Sequence, residues 1–199
     1  MLFGHTQGVT NSSPTSTERP AEFRSLYWLV VRYLRDNPVA GLRAGLSGAP
    51  VSTWSLVPGF VVITLIIGLT TGQLQPQLPD LWRALWLPPL LIVFPTLVEE
   101  FFHRGILLPR SLLNAGPGRR FMAATASTAV YVSVHPISPL LGRSDLAFFL
   151  DPWMLVIVAV LGYTSAYAYL RSGSLRAPIL IHWATVVVWN LFMGGIYSG

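Results

Sequence analysis

Residues 51–71 form a continuous stretch without a single charged side chain. A helix needs about 20 apolar residues to cross a hydrocarbon core of about 30 Å. Inside lipid, every backbone N–H and C=O must be hydrogen-bonded within the protein, which only helices and closed barrels achieve. The stretch therefore predicts a membrane-spanning helix.

The composition extends this prediction to the whole chain. Of the 199 residues, 52% are apolar and 11% are charged, whereas charged residues make up about 25% of a soluble domain. We expect an all-α, polytopic transmembrane bundle of about five membrane helices, in contact with lipid. The net charge of +5 is not concentrated on a polar domain, so we expect no nucleic-acid partner. The absence of cysteine excludes disulfides and a thiol nucleophile.

Three regions are predicted along the chain. Residues 1–24 are rich in Ser, Thr, Pro and Gly and are expected to be a disordered tail. Residues 25–50 contain an interfacial amphipathic helix, in which apolar residues alternate with arginines, and then a Gly/Pro/Ala linker. Residues 51–199 form the transmembrane domain.

Further apolar segments follow the first span and complete the predicted bundle. Pro95 is expected to bend the first of them one turn before Glu99, and residues 114–118 are expected to form a sharp turn. The predicted segments are 81–113, 121–135, 152–170 and 175–193.

The arginines predict an orientation, because basic residues accumulate on the cytoplasmic side of a membrane. With the N-terminus in the cytoplasm, Arg83 and Arg143 lie outside together with Gly199. The remaining arginines lie inside: Arg19, Arg24, Arg32, Arg35, Arg43, Arg104, Arg110, Arg119, Arg120, Arg171 and Arg176. We therefore expect a multi-pass protein of a bacterial inner (plasma) membrane with a cytoplasmic N-terminus.

Two adjacent carboxylates and an arginine interrupt the second apolar segment. Ionisable groups inside a membrane are energetically unfavourable and usually functional. On a helix, Glu100 and Arg104 form an i, i+4 pair in the favoured order, which leaves Glu99 facing elsewhere. This asymmetry predicts one structural and one chemical glutamate.

Two histidines are predicted to share the depth of Glu99 in the membrane. Glu99 lies 18 residues before Pro117 and His135 lies 18 residues after it, so antiparallel helices would place both about 27 Å from the turn. His182 lies six residues beyond Arg176, and Glu99 five residues before Arg104. If the two arginines mark one interface, all three side chains lie at one level.

A carboxylate and two imidazoles in a dry cavity suit hydrolysis by water. A buried Glu can take a proton from water, and a histidine can hold that water or protonate a leaving amine. A second histidine can donate to the oxyanion that forms at the carbonyl. This constellation predicts peptide hydrolysis without a covalent intermediate.

These residues resemble the CAAX protease and bacteriocin-processing family of glutamic-type intramembrane proteases. The family motif E-E-x-x-x-R is matched by Glu99, Glu100 and Arg104, and F-x-x-x-H is matched by His135 with Tyr131 in place of Phe. A Gly/Ala-rich helix, a G-S-L turn at residues 173–175 and then His182 resemble the third region. The resemblance covers roughly residues 84–195.

The resemblance implies a role for each matched residue. Glu99 is the water-activating base, His135 its partner and His182 the oxyanion contact, while Glu100 and Arg104 brace the helix. A peptide or protein substrate is implied, and no cofactor is required. The chain departs from the family at Val186, where an Asn usually follows the last histidine.

Other interpretations of the same residues remain open. Glu99, Glu100 and Arg104 also suit a buried ion-pair network that joins helices. His135 and His182 also suit polar contacts at an interface or between helices. One Glu and two His form a hydrolytic zinc set, although no H-E-x-x-H motif is present.

Two functions follow from these interpretations. The first is an intramembrane endopeptidase acting on a membrane-associated peptide, either prenylated or a leader. The alternative is a non-catalytic membrane scaffold or immunity protein that binds a peptide or partner helix in the same cavity. A transporter is not favoured, because the chain has no paired halves with broken-helix sites.

Overall fold

The computed structural model describes residues 21–196, which contain helices and no strand. The all-α prediction is therefore confirmed for this part of the chain. The predicted tail lies mostly in residues 1–20, outside the described residues. The chain divides after Tyr33 into an N-terminal unit and a body that begins at Leu34.

The N-terminal unit contains helix α1, Ala21–Leu34. Residues 26–30 of this helix are all exposed, including Trp28 at 64%. Aromatic and aliphatic side chains therefore face outward beside Arg32, as expected for a helix at a membrane interface.

The body begins with helical turns rather than with an irregular linker. The segments Arg35–Val39 and Ala40–Arg43 are helical. Asn37 is buried and its Oδ1 accepts a hydrogen bond of 2.8 Å from the backbone of Arg110, and the carbonyl of Gly41 accepts one of 3.0 Å from Leu175. Packing against the body explains the difference from the prediction, because buried backbone groups must be hydrogen-bonded.

Helix α2, Val57–Thr71, follows a short 3₁₀ turn at Val51–Trp54. Helix α3 spans Leu81–Ile106 and begins where Asp80 Oδ1 accepts from the backbone N–H of Trp82 at 2.7 Å, an N-cap.

Helix α3 is bent and ends earlier than predicted. Phe94 has extended dihedral angles, φ −137° and ψ 125°, because the residue before a proline is disfavoured in the helical region. This confirms the predicted bend at Pro95. The helix ends at Ile106, and the separate 3₁₀ turn Arg110–Asn114 follows Pro109, so the predicted continuous helix to residue 113 is wrong. Pro109 explains the early end, since proline has no N–H to donate and disfavours a helical predecessor.

Three helices complete the body, and short turns at Ile137–Leu140 and Ser144–Leu150 fill the predicted irregular stretch. Helix α5 (Pro152–Ser172) begins directly after its N-cap, Asp151, and ends directly before Gly173, whose φ of 67° suits glycine. The three helices are α4 (Pro117–Val134), α5 (Pro152–Ser172) and α6 (Arg176–Phe192).

Three helical segments within residues 21–196 are long and apolar enough to cross a membrane. They are Val51–Thr71, Leu81–Ile106 and Pro152–Ser172. The predicted bundle of about five membrane helices requires that α4 and α6 also cross the membrane. Helix α6 has only 17 residues, and α4 has two arginines in its first turn.

Helix α5 is the centre of the bundle. In its apolar window 61% of residues are buried, against 17% in each of the other two candidate spans. It packs against α2, α4 and α6. Gly162 allows close approach to α4, because a Cβ there would lie 2.9 Å from Thr128 Cγ2 and 3.1 Å from Tyr131 Cδ1. The glycine thus brings the middle of α4 against α5, next to the last turns of α3.

Candidate active site

A cavity of about 740 Å³ lies among α2, α3, α5 and α6, and its wall is mainly apolar. Polar groups from three elements reach this wall. Glu99 comes from α3, His135 follows the end of α4, and His182 comes from the second turn of α6. Binding cavities commonly combine an apolar wall with a few convergent polar groups.

Glu100 and Arg104 form an ion pair sealed from the cavity. The Nε of Arg104 lies 3.2 Å from Oε2 of Glu100, and both side chains have no exposed surface. Arg104 Nη2 also donates to the carbonyl of Gly162 at 3.0 Å, and its guanidinium lies 4.5 Å from the centre of the Tyr131 ring. The pair therefore ties α3 to α4 and α5.

Glu99 has a different environment one residue earlier. Its side chain is 27% exposed and lines the cavity. Among the described residues, its Oε2 atom has no hydrogen-bond partner. The Oε2 atom is itself buried, so Glu99 combines a partly exposed side chain at the cavity with one carboxylate oxygen that makes no hydrogen bond to the described residues.

His182 lies between the two carboxylates. Its Nδ1 is 2.9 Å from Glu100 Oε1, and its Nε2 is 3.9 Å from Glu99 Oε2. An ionised Glu100 can only accept, so Nδ1 carries the proton and donates to it. The Nε2 distance to Glu99 is longer than a hydrogen bond, and a water beside both atoms can contact both.

His135, directly after the end of α4, also lines the cavity. Its Nδ1 donates to the carbonyl of Tyr131 at 2.6 Å, which leaves Nε2 of the neutral ring as an acceptor. The ring lies between Tyr131 at 4.6 Å and Phe149 at 4.7 Å, centre to centre. Within residues 21–196 no hydrogen bond or ion pair joins His135 directly to Glu99. The structure therefore brings the three predicted catalytic residues, Glu99, His135 and His182, to one cavity. Among these three described residues, only Glu99 and His182 lie within ion-pair distance of each other.

His103 does not enter the cavity wall. Its Nδ1 donates to the backbone carbonyl of Glu99 at 2.8 Å, rather than to the carboxylate. Ser127 on α4 donates to the carbonyl of His103 at 2.7 Å. The first bond lies within α3, and the second joins the last turns of α3 to α4.

Two contributors had no role assigned from the sequence. The carbonyl of Gly162 accepts from Arg104, a backbone role that residue type alone does not signal. Tyr131 is 1% exposed, and its ring contacts His103, His135 and His182. The only sequence signal for Tyr131 was its place in the F-x-x-x-H motif.

The family's usual Asn has no equivalent at Val186. Val186 is buried in an apolar cluster with Leu87, Leu91 and Leu191. Asn190, one turn later, uses its Nδ2 to donate to the carbonyl of Val186 at 2.8 Å. Neither residue presents the amide donor that the family pattern places near the last histidine.

A metal centre has no geometric support in the described part of the chain. Residues 21–196 contain no group of three His, Asp or Glu side chains arranged to hold an ion. The second carboxylate near His182, Glu100, is already engaged with Arg104. A metalloendopeptidase-like description is therefore not supported by this arrangement.

Comparison with known proteins identifies the family. A family model described as "Type II CAAX prenyl endopeptidase Rce1-like" matches residues 81–188. A search of curated proteins and a search of solved structures each found no match. Together with the three apolar helical segments, the family match makes this a membrane protein. The matched range covers more than half of the sequence, and the chain belongs to the Rce1-like family of type II CAAX prenyl endopeptidases.

Proposed function

We propose that this protein is an intramembrane endopeptidase that hydrolyses a peptide bond of a membrane-associated peptide, with water activated by Glu99. The observation that carries the proposal is the difference between two adjacent carboxylates. Glu100 is fully buried and is neutralised by Arg104, whereas Glu99 lines the cavity and is 27% exposed. A positioned carboxylate of this kind can act as a general base.

The reaction needs one proton to move from water to the leaving nitrogen. The water oxygen bonds to the carbonyl carbon while Glu99 takes one of its protons. His135 orients the water by accepting a hydrogen bond at Nε2. When the C–N bond breaks, Glu99 passes the proton to the leaving nitrogen, and the carbonyl side keeps the water oxygen as a carboxylic acid.

His182 is the proposed electrophilic contact. Its Nδ1–H donates a hydrogen bond to Glu100 at 2.9 Å. Nε2 becomes a second donor when both ring nitrogens are protonated. The resulting positive charge matches the negative charge on Glu99, because Arg104 already balances Glu100. A fixed donor of this kind stabilises the oxyanion of the tetrahedral intermediate.

The proposed substrate is a peptide segment that enters from the membrane, either prenylated or a leader. The mainly apolar wall of the cavity suits such a segment better than a polar peptide. Catalysis by two histidines and a glutamate requires no metal ion, and lipid is the expected surrounding partner.

The proposed orientation places the N-terminus in the cytoplasm of a bacterial cell, on the basis of the arginine distribution. Because the chain has no cysteine, single cysteines can be placed without background. Leu78 is 93% exposed in the wild-type protein. A membrane-impermeant thiol reagent added to intact cells should therefore label Leu78→Cys and should not label Asn114→Cys. The reverse labelling would show the opposite orientation.

A non-catalytic scaffold remains the second candidate because of one observation. Val186 offers only a buried apolar side chain where the family has an amide. If His182 alone cannot stabilise the oxyanion, the cavity would bind a peptide without cleaving it.

The proposal is tested with purified protein in liposomes and a library of membrane-associated peptides. Wild type should cleave, Glu99→Gln and His135→Ala should not, and a chelator should have no effect. All three proteins must first be shown to fold. Loss of cleavage with chelator would support a metal enzyme instead. Cleavage that persists in Glu99→Gln would exclude this mechanism, and peptide capture without cleavage by both wild type and Glu99→Gln would support the scaffold.

A further inference from the structure

Tyr131 lies at the centre of the candidate active site. Its ring centre is 4.9 Å from that of His103, 4.6 Å from that of His135 and 6.1 Å from that of His182. The guanidinium of Arg104 lies 4.5 Å from the same centre. One buried side chain thus contacts both the sealed ion pair and the histidines of the cavity.

These ring contacts account for the aromatic ring but not for the hydroxyl group. The related family motif has Phe at this position, so the packing itself does not require a phenol. Tyr131 is 1% exposed, and burying a hydroxyl is unfavourable unless it is hydrogen-bonded. Tyr131 and Glu99 line the same cavity, and both lie beside His182.

We propose that Tyr131 is a positioning residue for Glu99, through a hydrogen bond from its hydroxyl group to the carboxylate. This inference rests on the proposed function, in which Glu99 is the base. A bond to Oε1 fixes the rotation of the carboxylate and leaves Oε2 on the side of His182, whose Nε2 is 3.9 Å away. Such fixation matters because a catalytic group must be held close to its productive geometry.

Two substitutions separate the hydroxyl from the ring. Tyr131→Phe removes only the oxygen and keeps the contacts to the three imidazoles and Arg104, whereas Tyr131→Leu also removes the ring. Tyr169→Phe is the matched control, because Tyr169 is fully buried in the cluster of Leu108, Leu170 and Leu175 and has no part in the site.

The first readout does not depend on activity. The infrared carboxyl band of Glu99 is assigned as the band lost in Glu99→Gln, and it is then compared in wild type, Tyr131→Phe and Tyr169→Phe. We expect the band to move in Tyr131→Phe and to stay in Tyr169→Phe. An unmoved band in Tyr131→Phe would overturn the positioning role, whether or not the wild type cleaves peptides.

The second readout separates positioning from binding. With a cleaved peptide, Tyr131→Phe should lower kcat about tenfold, which corresponds to one hydrogen bond to a charged group, and should leave KM and the unfolding temperature unchanged. Tyr169→Phe should keep the wild-type kcat. An unchanged kcat in Tyr131→Phe, or a change confined to KM, would overturn the proposal. Failure of the wild type to cleave, with a shifted Glu99 band, would instead contradict the proposed function and leave the hydrogen bond established.

Discussion

Glu99 and Glu100 are neighbours in the sequence, yet they lie in two different regions of the molecule. Glu100 belongs to a sealed region, where Arg104 and His182 occupy its oxygens and no surface is exposed. Glu99 belongs to an open region at the wall of the cavity, with 27% of its side chain exposed. One helix therefore presents a sealed carboxylate on one side and a partly exposed carboxylate at the cavity wall on the other.

This difference follows from helix geometry and from the partners of each face. The i, i+4 spacing brings Arg104 to Glu100 and not to Glu99. The sealed face packs on α5, where Gly162 supplies a carbonyl for Arg104 at 3.0 Å. An uncompensated charge is strongly disfavoured in such a place, whereas Glu99 lies beside the cavity with 27% of its side chain exposed.

Loss of His182 should have the largest effect, on both activity and stability, because this residue lies next to both carboxylates. His182→Ala should lower kcat about 100-fold or more through the lost oxyanion contact. It should also lower the free energy of unfolding by about 1–3 kcal/mol, since Glu100 Oε1 loses its donor. Enzyme kinetics and denaturant unfolding in detergent measure the two effects.

The control for this prediction is His103→Ala. His103 is buried at 4% exposure but does not line the cavity, so its loss should affect stability while kcat per folded molecule stays near wild type. Equal loss of kcat in both variants would contradict the assigned division.

Loss of Arg104 should affect the sealed region through stability. Arg104→Ala leaves Glu100 buried without its cation, which should lower the free energy of unfolding by about 3–5 kcal/mol. Arg83→Ala is the control, because Arg83 lies 3.9 Å from Asp80 in a partly exposed pair, with 28% and 53% of the two side chains exposed, and the expected change there is about 0–1 kcal/mol. Comparable unfolding midpoints for the two variants would show that the sealed pair is not structural.

A methyl group added at Gly162 should lower the stability of the sealed region by less than the loss of Arg104 does. Gly162→Ala places a Cβ 2.9 Å from Thr128 Cγ2, and such overpacking lowers stability by about 1–3 kcal/mol. Gly59→Ala provides the control, because a Cβ there meets nothing within 4 Å. Thermal unfolding should separate the two, and a Gly162→Ala variant as stable as Gly59→Ala would argue against tight packing of α4 on α5.

The smallest effect is expected at an exposed ion pair on the cavity rim. Arg143 donates to Asp145 at 2.9 Å and 2.7 Å, and these bonds lower the pKa of the Asp145 carboxyl. Because the folded-state pKa lies below the unfolded value of about 3.9, the stabilisation is present above that value and is lost as pH falls through the folded pKa.

Asp145→Asn should therefore lower the unfolding temperature slightly at neutral pH and converge with wild type at acid pH. Both side chains are exposed, so the difference should be small compared with that of Arg104→Ala. A difference that grows as the pH falls would contradict the sign of this linkage.

The helical class and the bend at Pro95 could be predicted from the sequence, because long uncharged runs and prolines constrain the backbone locally. The extent of α3 could not be predicted as well. Apolar and basic residues continue past Ile106, and hydropathy alone does not show that Pro109 ends the helix first. The helical turns at Arg35–Val39 were missed because they depend on contacts of Asn37 with a residue far along the chain.

The site could be predicted only in part, because the sequence shows local relations between residues but not the contacts between helices. The spacing of Glu100 and Arg104 is local, and their ion pair is present. Contacts between helices depend on packing, so the hydrogen bond of His182 to Glu100 and the place of Tyr131 among three histidines required the structure. The predicted equal depth of Glu99 and His135 assumed a continuous helix to the turn, which Pro109 interrupts, although both residues reach one cavity. The catalytic roles of these residues stay predictions.

The division between the two carboxylates is tested most directly by Glu99→Gln and Glu100→Gln, each measured for unfolding temperature and for peptide cleavage in liposomes. Both changes keep the size of the side chain and remove its charge. We predict that Glu99→Gln keeps the wild-type unfolding temperature and loses cleavage by about 100-fold or more, while Glu100→Gln unfolds at a clearly lower temperature. Wild-type cleavage by Glu99→Gln, or unfolding of Glu100→Gln at the wild-type temperature, would contradict the assignment of one reactive and one structural glutamate.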